Sequence, residues 1–440
     1  MATKDRAVVL GGSVAGLLAV RALASSYREV VLVERDPLPV GTSTTPRTGV
    51  PHGRHAHGLL VGGLRAIETL LPGATADLAE AGVPAGDMCG AIRLYADGHP
   101  LRQGTIGELG LAVSRPFLES YVRTRVLDTA NLKVIDGCDV AGLDSVDGAV
   151  TGARIHRRSV GAGEETVAAD LVVDATGRGS RTPRWLGELG YASPVEERLE
   201  VNLSYTTRKF KMAPDGLGGN HTVIVAPSVT NPRGGVLQVV EQGRAVATVF
   251  GILGDAAPGD LDGFLAFAKT LRAPEFDGIL RAAEPIDEPA TFRFPASVRR
   301  RYERLDRFPA GLLVIGDAIC SFNPQYAQGM SVSAMEAATL LRMAPDGVTA
   351  PAFFRAVAPI IDVPWQIVTG SDLAHPGVQG ERTGAIRFVN AYLRRLQAAA
   401  RRDATLTEAF ARVLNLIAAP RSLMRPDLAV RVLVRGRAAR

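Results

Sequence analysis

The chemistry starts at Gly11-Gly12-Ser13-Val14-Ala15-Gly16, which lies between an apolar run at residues 6–10 and an Ala/Leu-rich stretch from Leu17 to about Ser26. A strand, a glycine turn and a helix in that order can cradle a dinucleotide. The turn at Gly11 is tight, the backbone comes close to the pyrophosphate, and the helix N-terminus aims free N–H groups and the positive end of its dipole at it. Ser13 takes the middle position where glycine is usual. Its Cβ narrows the approach, while its hydroxyl can donate to a phosphate. A second buried run, residues 30–33, ends at Glu34, 23 residues after Gly11. A carboxylate at that distance accepts hydrogen bonds from a ribose 2′-OH and repels a 2′-phosphate. Gly11, Ser13, Val14, Ala15, Gly16, Glu34 and the adjacent Arg35 are therefore candidate ligands of FAD or NAD.

Residues 311–330 help to decide between the two. They read Gly-Leu-Leu-Val-Ile-Gly-Asp-Ala-Ile-Cys-Ser-Phe-Asn-Pro-Gln-Tyr-Ala-Gln-Gly-Met. A buried strand ending in an Asp cap accounts for Asp317 but not for the whole run. The run resembles the flavin-contacting Gly-Asp motif of FAD monooxygenases of the para-hydroxybenzoate hydroxylase fold. That resemblance implies FAD, with Asp317 at its ribityl or phosphate region and Pro324 beside the isoalloxazine. It also implies that the helix start Gly329-Met330-Ser331 turns backbone N–H groups to the flavin N1–C2=O edge, where charge accumulates on reduction.

Residues 174–183, Asp-Ala-Thr-Gly-Arg-Gly-Ser-Arg-Thr-Pro, resemble the second cofactor motif of that family. Thr176-Gly177 stands where Asp-Gly is commoner, and Ser180 and Arg184 stand at the motif's Ser and Arg. Without that acid the electron donor stays open between NAD(P)H and a separate flavin reductase. Residues 49–58, Gly-Val-Pro-His-Gly-Arg-His-Ala-His-Gly, make the whole most similar to the lasalocid-type epoxidases of actinobacterial polyether biosynthesis, at motif level over residues 1–345. This implies Arg54 at the FAD pyrophosphate, His57 near the flavin, and Arg115, which opens the helix after Ser114, on the cofactor. His52, His55 and His57 could instead be metal ligands. No Cys, Asp or Glu lies between residues 37 and 67 to complete such a site, so no metal is expected.

The resemblance implies that reduced FAD and O2 form a C4a-hydroperoxide with an electrophilic distal oxygen, in an apolar pocket that delays loss of hydrogen peroxide. An alkene needs no side-chain base to take that oxygen, whereas a phenol benefits from one. No base stands out; Tyr205 and Tyr326 read as structural. The expected enzyme is an FAD-dependent monooxygenase epoxidising an olefin in a lipophilic polyketide or terpenoid secondary metabolite. The alternatives are aromatic or polyketide hydroxylation on the same fold, then flavin-dependent double-bond reduction (a saturase). Last comes a degenerate flavoprotein acting as a binding partner, which Ser13 and Thr176 suggest. Trp185 and Trp365 are the two tryptophans, so there is no Trp-x-Trp-x-Ile-Pro, and no lysine lies between Lys4 and Lys133. Both absences argue against a flavin halogenase.

These residues need an α/β frame. The expected fold is a Rossmann-like FAD-binding domain from residues 1–83, 111–190 and 291–343, with an inserted antiparallel β-sheet substrate domain from 84–110 and 191–290. A C-terminal helical region with a basic tail, 344–440, follows. Helices are expected over 58–71, stopped by Pro72-Gly73, and over 114–128; short strands alternate through 132–174. Longer β-like runs fill 191–290, with a hairpin around Gln242-Gly243. The chain has 440 residues, 46% hydrophobic and 22% charged, which excludes general disorder. No apolar run is long enough to cross a bilayer. Cys89, Cys138 and Cys320 form no Cys-x-x-Cys, and the start lacks the order of a signal peptide, so a reducing cytoplasm is expected.

The net charge of +5 hides its location: residues 391–440 carry eleven Arg against three acids, a local +8. Tyr392 and Phe410 are the two aromatics there, so base stacking and a nucleic-acid partner lack support. The expected partners are a lipophilic small molecule, O2 and, where NAD(P)H does not reduce the flavin directly, an external reductase. The role of the tail stays open between a solvated face, a membrane surface and a carrier protein.

Overall fold

The computed structural model describes residues 4–158, 163–213 and 215–436. Apolar runs without polar alternation suit strands covered on both faces. Lys4–Leu10, Tyr27–Val33, Leu132–Ile135, Leu171–Asp174 and Leu312–Val314 form a parallel sheet in the order 312–314, 171–174, 4–10, 27–33, 132–135. Val8 sits opposite Val172 on one side and Val31 on the other, and all three are fully buried. Helix α1 (Val14–Leu23) leaves the carboxyl end of the central strand. It begins three residues before the expected Leu17, because Ser13 has the extended backbone of an N-cap. Two more helices, α2 (Val61–Leu70) and α3 (Arg115–Leu127), match the expected positions within a turn. Helix α4 (Gly329–Met343) packs against α1 and α2.

The second sheet is built on the 16-residue strand Glu196–Lys211, which pairs antiparallel with Arg244–Gly251 and Ala290–Arg300. Arg233–Val239 and Thr222–Val225 extend it, and Ile92–Ala96 joins parallel to Thr222–Val225, the departure from an all-antiparallel sheet. The expected hairpin turns at Gln242 and Gly243, both at positive φ (63° and 66°).

Two segments differ from expectation. Ala290–Arg300, placed with the cofactor side by a boundary at 290, is a strand of the large sheet. Its alternation buries Phe294, Ala296 and Val298, so it pairs where that face is covered. The helices Leu261–Lys269 and Pro274–Ala282 interrupt what was expected to be continuous sheet. Phe264 and Phe267 on the first helix and Phe276 and Leu280 on the second are spaced i, i+3 and i, i+4, and with Leu271 between the helices they pack against Phe210, Val223 and Leu237 of the strands.

After Ala344 the chain is helical. Helix α5 (Ala350–Asp372) lays Phe353, Val357, Ile361 and Val368 on the core of the parallel sheet. Helices α6 (Gly384–Ala400), α7 (Ala404–Leu414) and α8 (Pro426–Arg435) share a separate apolar cluster with Ala96 and Leu101. No helix among the described residues is long and apolar enough to cross a membrane.

Candidate cofactor and substrate site

Gly11 has φ +101°, and a Cβ there would lie 2.6 Å from the Ala175 carbonyl oxygen. A Cβ on Gly16 would lie 1.7 Å from the Gly11 oxygen. Neither position admits a side chain without moving backbone, and Gly16 does not line the cavity: it lets α1 descend onto the turn. The Ser13 hydroxyl does not cap α1, so the first N–H groups of that helix are left without a side-chain acceptor. Gly12 N–H donates to Glu34 Oε2 (2.5 Å), while Arg35 and Asp36 N–H donate to Oε1 (2.9 and 3.0 Å). These bonds fix the Glu34 carboxylate at the cavity wall with acceptor capacity to spare. Gly11, Ser13, Val14, Ala15, Glu34 and Arg35 all line the same cavity.

Beside the turn sits a charge network that the sequence reading missed in part. Arg115 Nη2 donates to Ser13 Oγ (2.7 Å) and Glu119 Oε2 (3.1 Å). Arg47 Nε donates to Glu119 Oε1 (2.8 Å) and its Nη2 to the Gly12 carbonyl (3.0 Å). Arg47 Nη1 is buried without a hydrogen-bond partner. Burial opposes the charge of Glu119, but the Arg115 and Arg47 guanidiniums outweigh it and hold its pKa below the usual range. The Arg54 expectation needs correction. The 3-10 turn Pro51–Arg54 leaves Arg54 exposed and off the cavity wall, and the loop arginine that faces the turn is Arg47. Glu119 had a readable signal, four residues after Arg115 on one helix face; Arg47 had none.

Farther along the cavity, Asp317 stands in the turn Gly316–Ala318 with its carboxylate facing the open space. Burial pushes its pKa up, against Arg115 and Arg178. Asp174 is fully buried and gathers Thr176, Ser180 and Thr182 through their hydroxyls, which turns Gly177 and Arg178 toward the cavity. Arg184 instead pairs with Glu188 on the surface. Gly329 and Met330 line the cavity at the start of α4, where Gln328 gives no side-chain cap and its own Oε1 is buried without a partner. Ser331 does not face the cavity. Its hydroxyl accepts from Leu60 N–H (3.0 Å), and Gly63 packs on it so closely that a Cβ would come within 2.5 Å, so Ser331 joins α2 to α4.

Pro324 lines the cavity in a loop held from behind. Asp372, at the end of α5, accepts from Asn323 Nδ2 (3.1 Å), Gln325 Nε2 (3.1 Å) and the Tyr326 hydroxyl (2.8 Å). Burial raises its pKa to about 6 against those three donors.

The three imidazoles converge. His55 Nδ1 lies 2.8 Å from Thr207 Oγ1, which is 2.6 Å from Thr248 Oγ1. The Tyr205 ring meets His55 edge-on at 4.4 Å. His57 Nδ1–H donates to the His55 carbonyl (2.9 Å), which leaves Nε2 as an acceptor. Burial pushes His52 down to about 4, with Arg115 adding to it, and His55 down to about 3, with His52 and Arg54 adding to it. Burial and then Arg115 push His57 well below its usual value, so all three are neutral at pH 7. Among the described residues no group of three His, Cys, Asp or Glu is arranged to hold a metal ion.

One cavity of about 2440 Å³ joins these parts. It runs from the glycine turn past Asp317 and Pro324 to an apolar wall of Leu203, Val236, Phe250, Phe292 and Phe294 on the large sheet, then to Ile386, Val389 and Leu393 on α6. A glycine cradle, two helix starts without side-chain caps, the Arg47 and Arg115 guanidiniums beside the turn and an open Asp317 carboxylate fit the phosphates and hydroxyls of FAD.

A dinucleotide turn on a parallel sheet, sharing one cavity with a second sheet, is the architecture of a two-sheet FAD-binding oxidoreductase. The profile of the FAD dependent oxidoreductases matches residues 7–210. Protein Rv3254 of Mycobacterium tuberculosis is 38% identical over 358 residues, which cover 77% of this chain and 73% of that protein. The chain belongs to the FAD-dependent oxidoreductase family. Among solved structures, a flavoprotein/dehydrogenase from Cytophaga hutchinsonii superposes with a TM-score of 0.69 at 13% identity, over 98% of each chain. The flavin-dependent brominase Bmp2 gives 0.67 at 16%, over 97% of each chain. PqsL, a probable FAD-dependent monooxygenase from Pseudomonas aeruginosa, gives 0.60 at 18%, over 94% of this chain and 100% of its own. At these identities the likeness shows the fold.

Proposed function

We propose that the chain is an FAD-dependent monooxygenase that epoxidises an olefin in a lipophilic secondary metabolite of polyketide or terpenoid type. The balance is alkene, O2, two electrons and two protons to epoxide and water, with electrons from NAD(P)H or a separate flavin reductase. The observation that carries the reading is the continuity of the cavity from the glycine turn to the apolar wall of the large sheet. FAD supplies, when reduced, the activation of O2. In this reading Gly11, Ser13, Val14, Ala15, Arg47 and Arg115 hold the pyrophosphate region, Glu34 the ribose and Asp317 the ribityl chain. The N-terminus of α4 at Gly329 and Met330 balances negative charge on the reduced ring. Phe250, Phe292 and Phe294 exclude water from the reacting alkene. The narrower likeness to lasalocid-type epoxidases rests on the motifs at 49–58, 174–181 and 316–330.

Hydroxylation of a phenolic ring is a second reading, favoured by His57. Its neutral ring borders the cavity and keeps Nε2 as an acceptor for a phenol proton. The test is a single turnover of the chemically reduced protein with labelled O2 and a panel of polyenes and phenols. An epoxide carrying one labelled oxygen is the expected product. A labelled catechol would replace it with hydroxylation, and an unlabelled product richer by two hydrogens would replace it with double-bond reduction.

A further inference from the structure

Six of the thirteen large apolar side chains most exposed among the described residues crowd into residues 388–434. On α8 they are Val430, Leu433 and Val434, 60%, 55% and 69% exposed, spaced i, i+3, i+4 on one side of the helix, while Leu428 and Val432 are buried on the other. Phe388 (59%) and Val389 (38%) stand on α6, and Met424 (42%) ends the 3-10 turn Pro420–Met424. These elements are one packed unit. The Tyr392 hydroxyl donates to the Leu423 carbonyl (2.6 Å), Phe388 stacks on Tyr392, and Leu396, Leu423 and Val432 share one apolar cluster.

The same unit carries the charge excess of the chain. Arg425 is paired with Asp427, and Arg431 and Arg435 with Asp403. Arg387, Arg394, Arg395, Arg402 and Arg421 are exposed and form no ion pair among the described residues. Val389 and Met424 are also part of the cavity wall while being substantially exposed, so the cavity opens to solvent between α6 and the 420–424 turn, inside this surface.

We propose that α6, the 420–424 turn and α8 form a docking face for an anionic lipid surface, with the cavity mouth turned toward the bilayer. An outward apolar stripe flanked by arginines matches the two halves of such an interface: the apolar side chains enter the acyl boundary and the guanidiniums meet the head-group phosphates. A bilayer accepts an outward-curved helix face, whereas a protein partner must supply a matching groove. A second copy would bring the same unneutralised arginines face to face, which charge repulsion disfavours. The face goes beyond the proposed reaction and does not require it. Where that reaction holds, it lets a lipophilic substrate pass from the membrane to the flavin without crossing water.

The test is flotation of the FAD-loaded full chain with vesicles of phosphatidylcholine alone and with added phosphatidylglycerol. Binding to the anionic vesicles, lost at high salt, is expected. Arg394→Gln and Arg395→Gln should each lower the partition about fivefold. The pair Leu433→Asp and Val434→Asp should abolish it while circular dichroism and bound flavin stay unchanged, since both side chains point to solvent. Equal partition to neutral vesicles, or binding that survives the α8 pair, overturns the proposal. So does a dimer by light scattering that the pair dissociates, or retention on an acidic carrier protein without vesicle binding.

Discussion

At the scale of single residues the site depends on what is absent as much as on what is present. Gly16 has no room for any side chain, since the Gly11 oxygen occupies the place of its Cβ. Gly16→Val should therefore give a protein without bound FAD, read as loss of visible flavin absorbance; a fully yellow variant would remove the turn from the cofactor site. Asp317 offers an open carboxylate, and hydrogen bonds to a charged group contribute about 1.5–3 kcal/mol each. Asp317→Ala should weaken FAD about tenfold or more in a fluorescence titration, and unchanged affinity would exclude Asp317. Both positions were legible because the turns that hold them are local, set by a strand end and the few residues after it. Arg54 and Arg47 show the limit. Sequence locates an arginine on a loop, but which one faces inward depends on how Pro51–Arg54 coils, and that is set by packing on Val50, Pro46 and Arg115.

At the scale of elements, α4 carries a titrating group under the flavin-side turn. Glu336 is fully buried; Oε2 accepts from Gly316 N–H (2.6 Å) and Oε1 has no partner. Burial raises its pKa from 4.5 to about 8, against the Gly316 hydrogen bond. A carboxyl raised in the fold binds its proton more tightly there than in the unfolded chain. Its contribution is therefore complete below 4.5 and is lost as pH rises through about 8. Glu336→Gln keeps an acceptor for Gly316 and removes the titration. The variant should flatten thermal stability against pH across this window and gain up to a few kcal/mol at its alkaline end. A profile parallel to that of the parent would mean that Glu336 is already charged.

The parallel strands were legible at this scale because each holds an apolar run, and four of the five are followed within three residues by a glycine. The helices Leu261–Lys269 and Pro274–Ala282 were not, because their phenylalanines suit a sheet as well as a helix until the i, i+3, i+4 spacing is counted. The strand Ala290–Arg300 shows the same limit across a longer distance: its period-two pattern was present, but its partner residues on Glu196–Lys211 lie 83 to 104 positions earlier.

At the scale of the whole molecule, Asp372 joins the C-terminal helices to the chemistry. It is the last residue of α5, and with it the chain returns to brace the Asn323–Tyr326 loop from behind the cavity wall. Nothing in the local sequence marks it, since its three donors lie 46 to 49 residues earlier. Asp372→Ala strands those donors in a buried site, which costs about 1–3 kcal/mol for each group left unsatisfied, and the melting temperature should fall accordingly. The glycine turn, Glu34 and Asp317 are untouched, so FAD affinity should hold. The loosened Pro324 loop should admit water beside the substrate, so a larger share of the reducing equivalents should appear as hydrogen peroxide instead of oxygenated product. Peroxide released per flavin oxidised, measured beside the FAD dissociation constant, separates two roles for α5. Peroxide rising at constant FAD affinity places this helix in closing the reaction space. FAD lost with the peroxide fraction unchanged would make it a support of the cofactor instead.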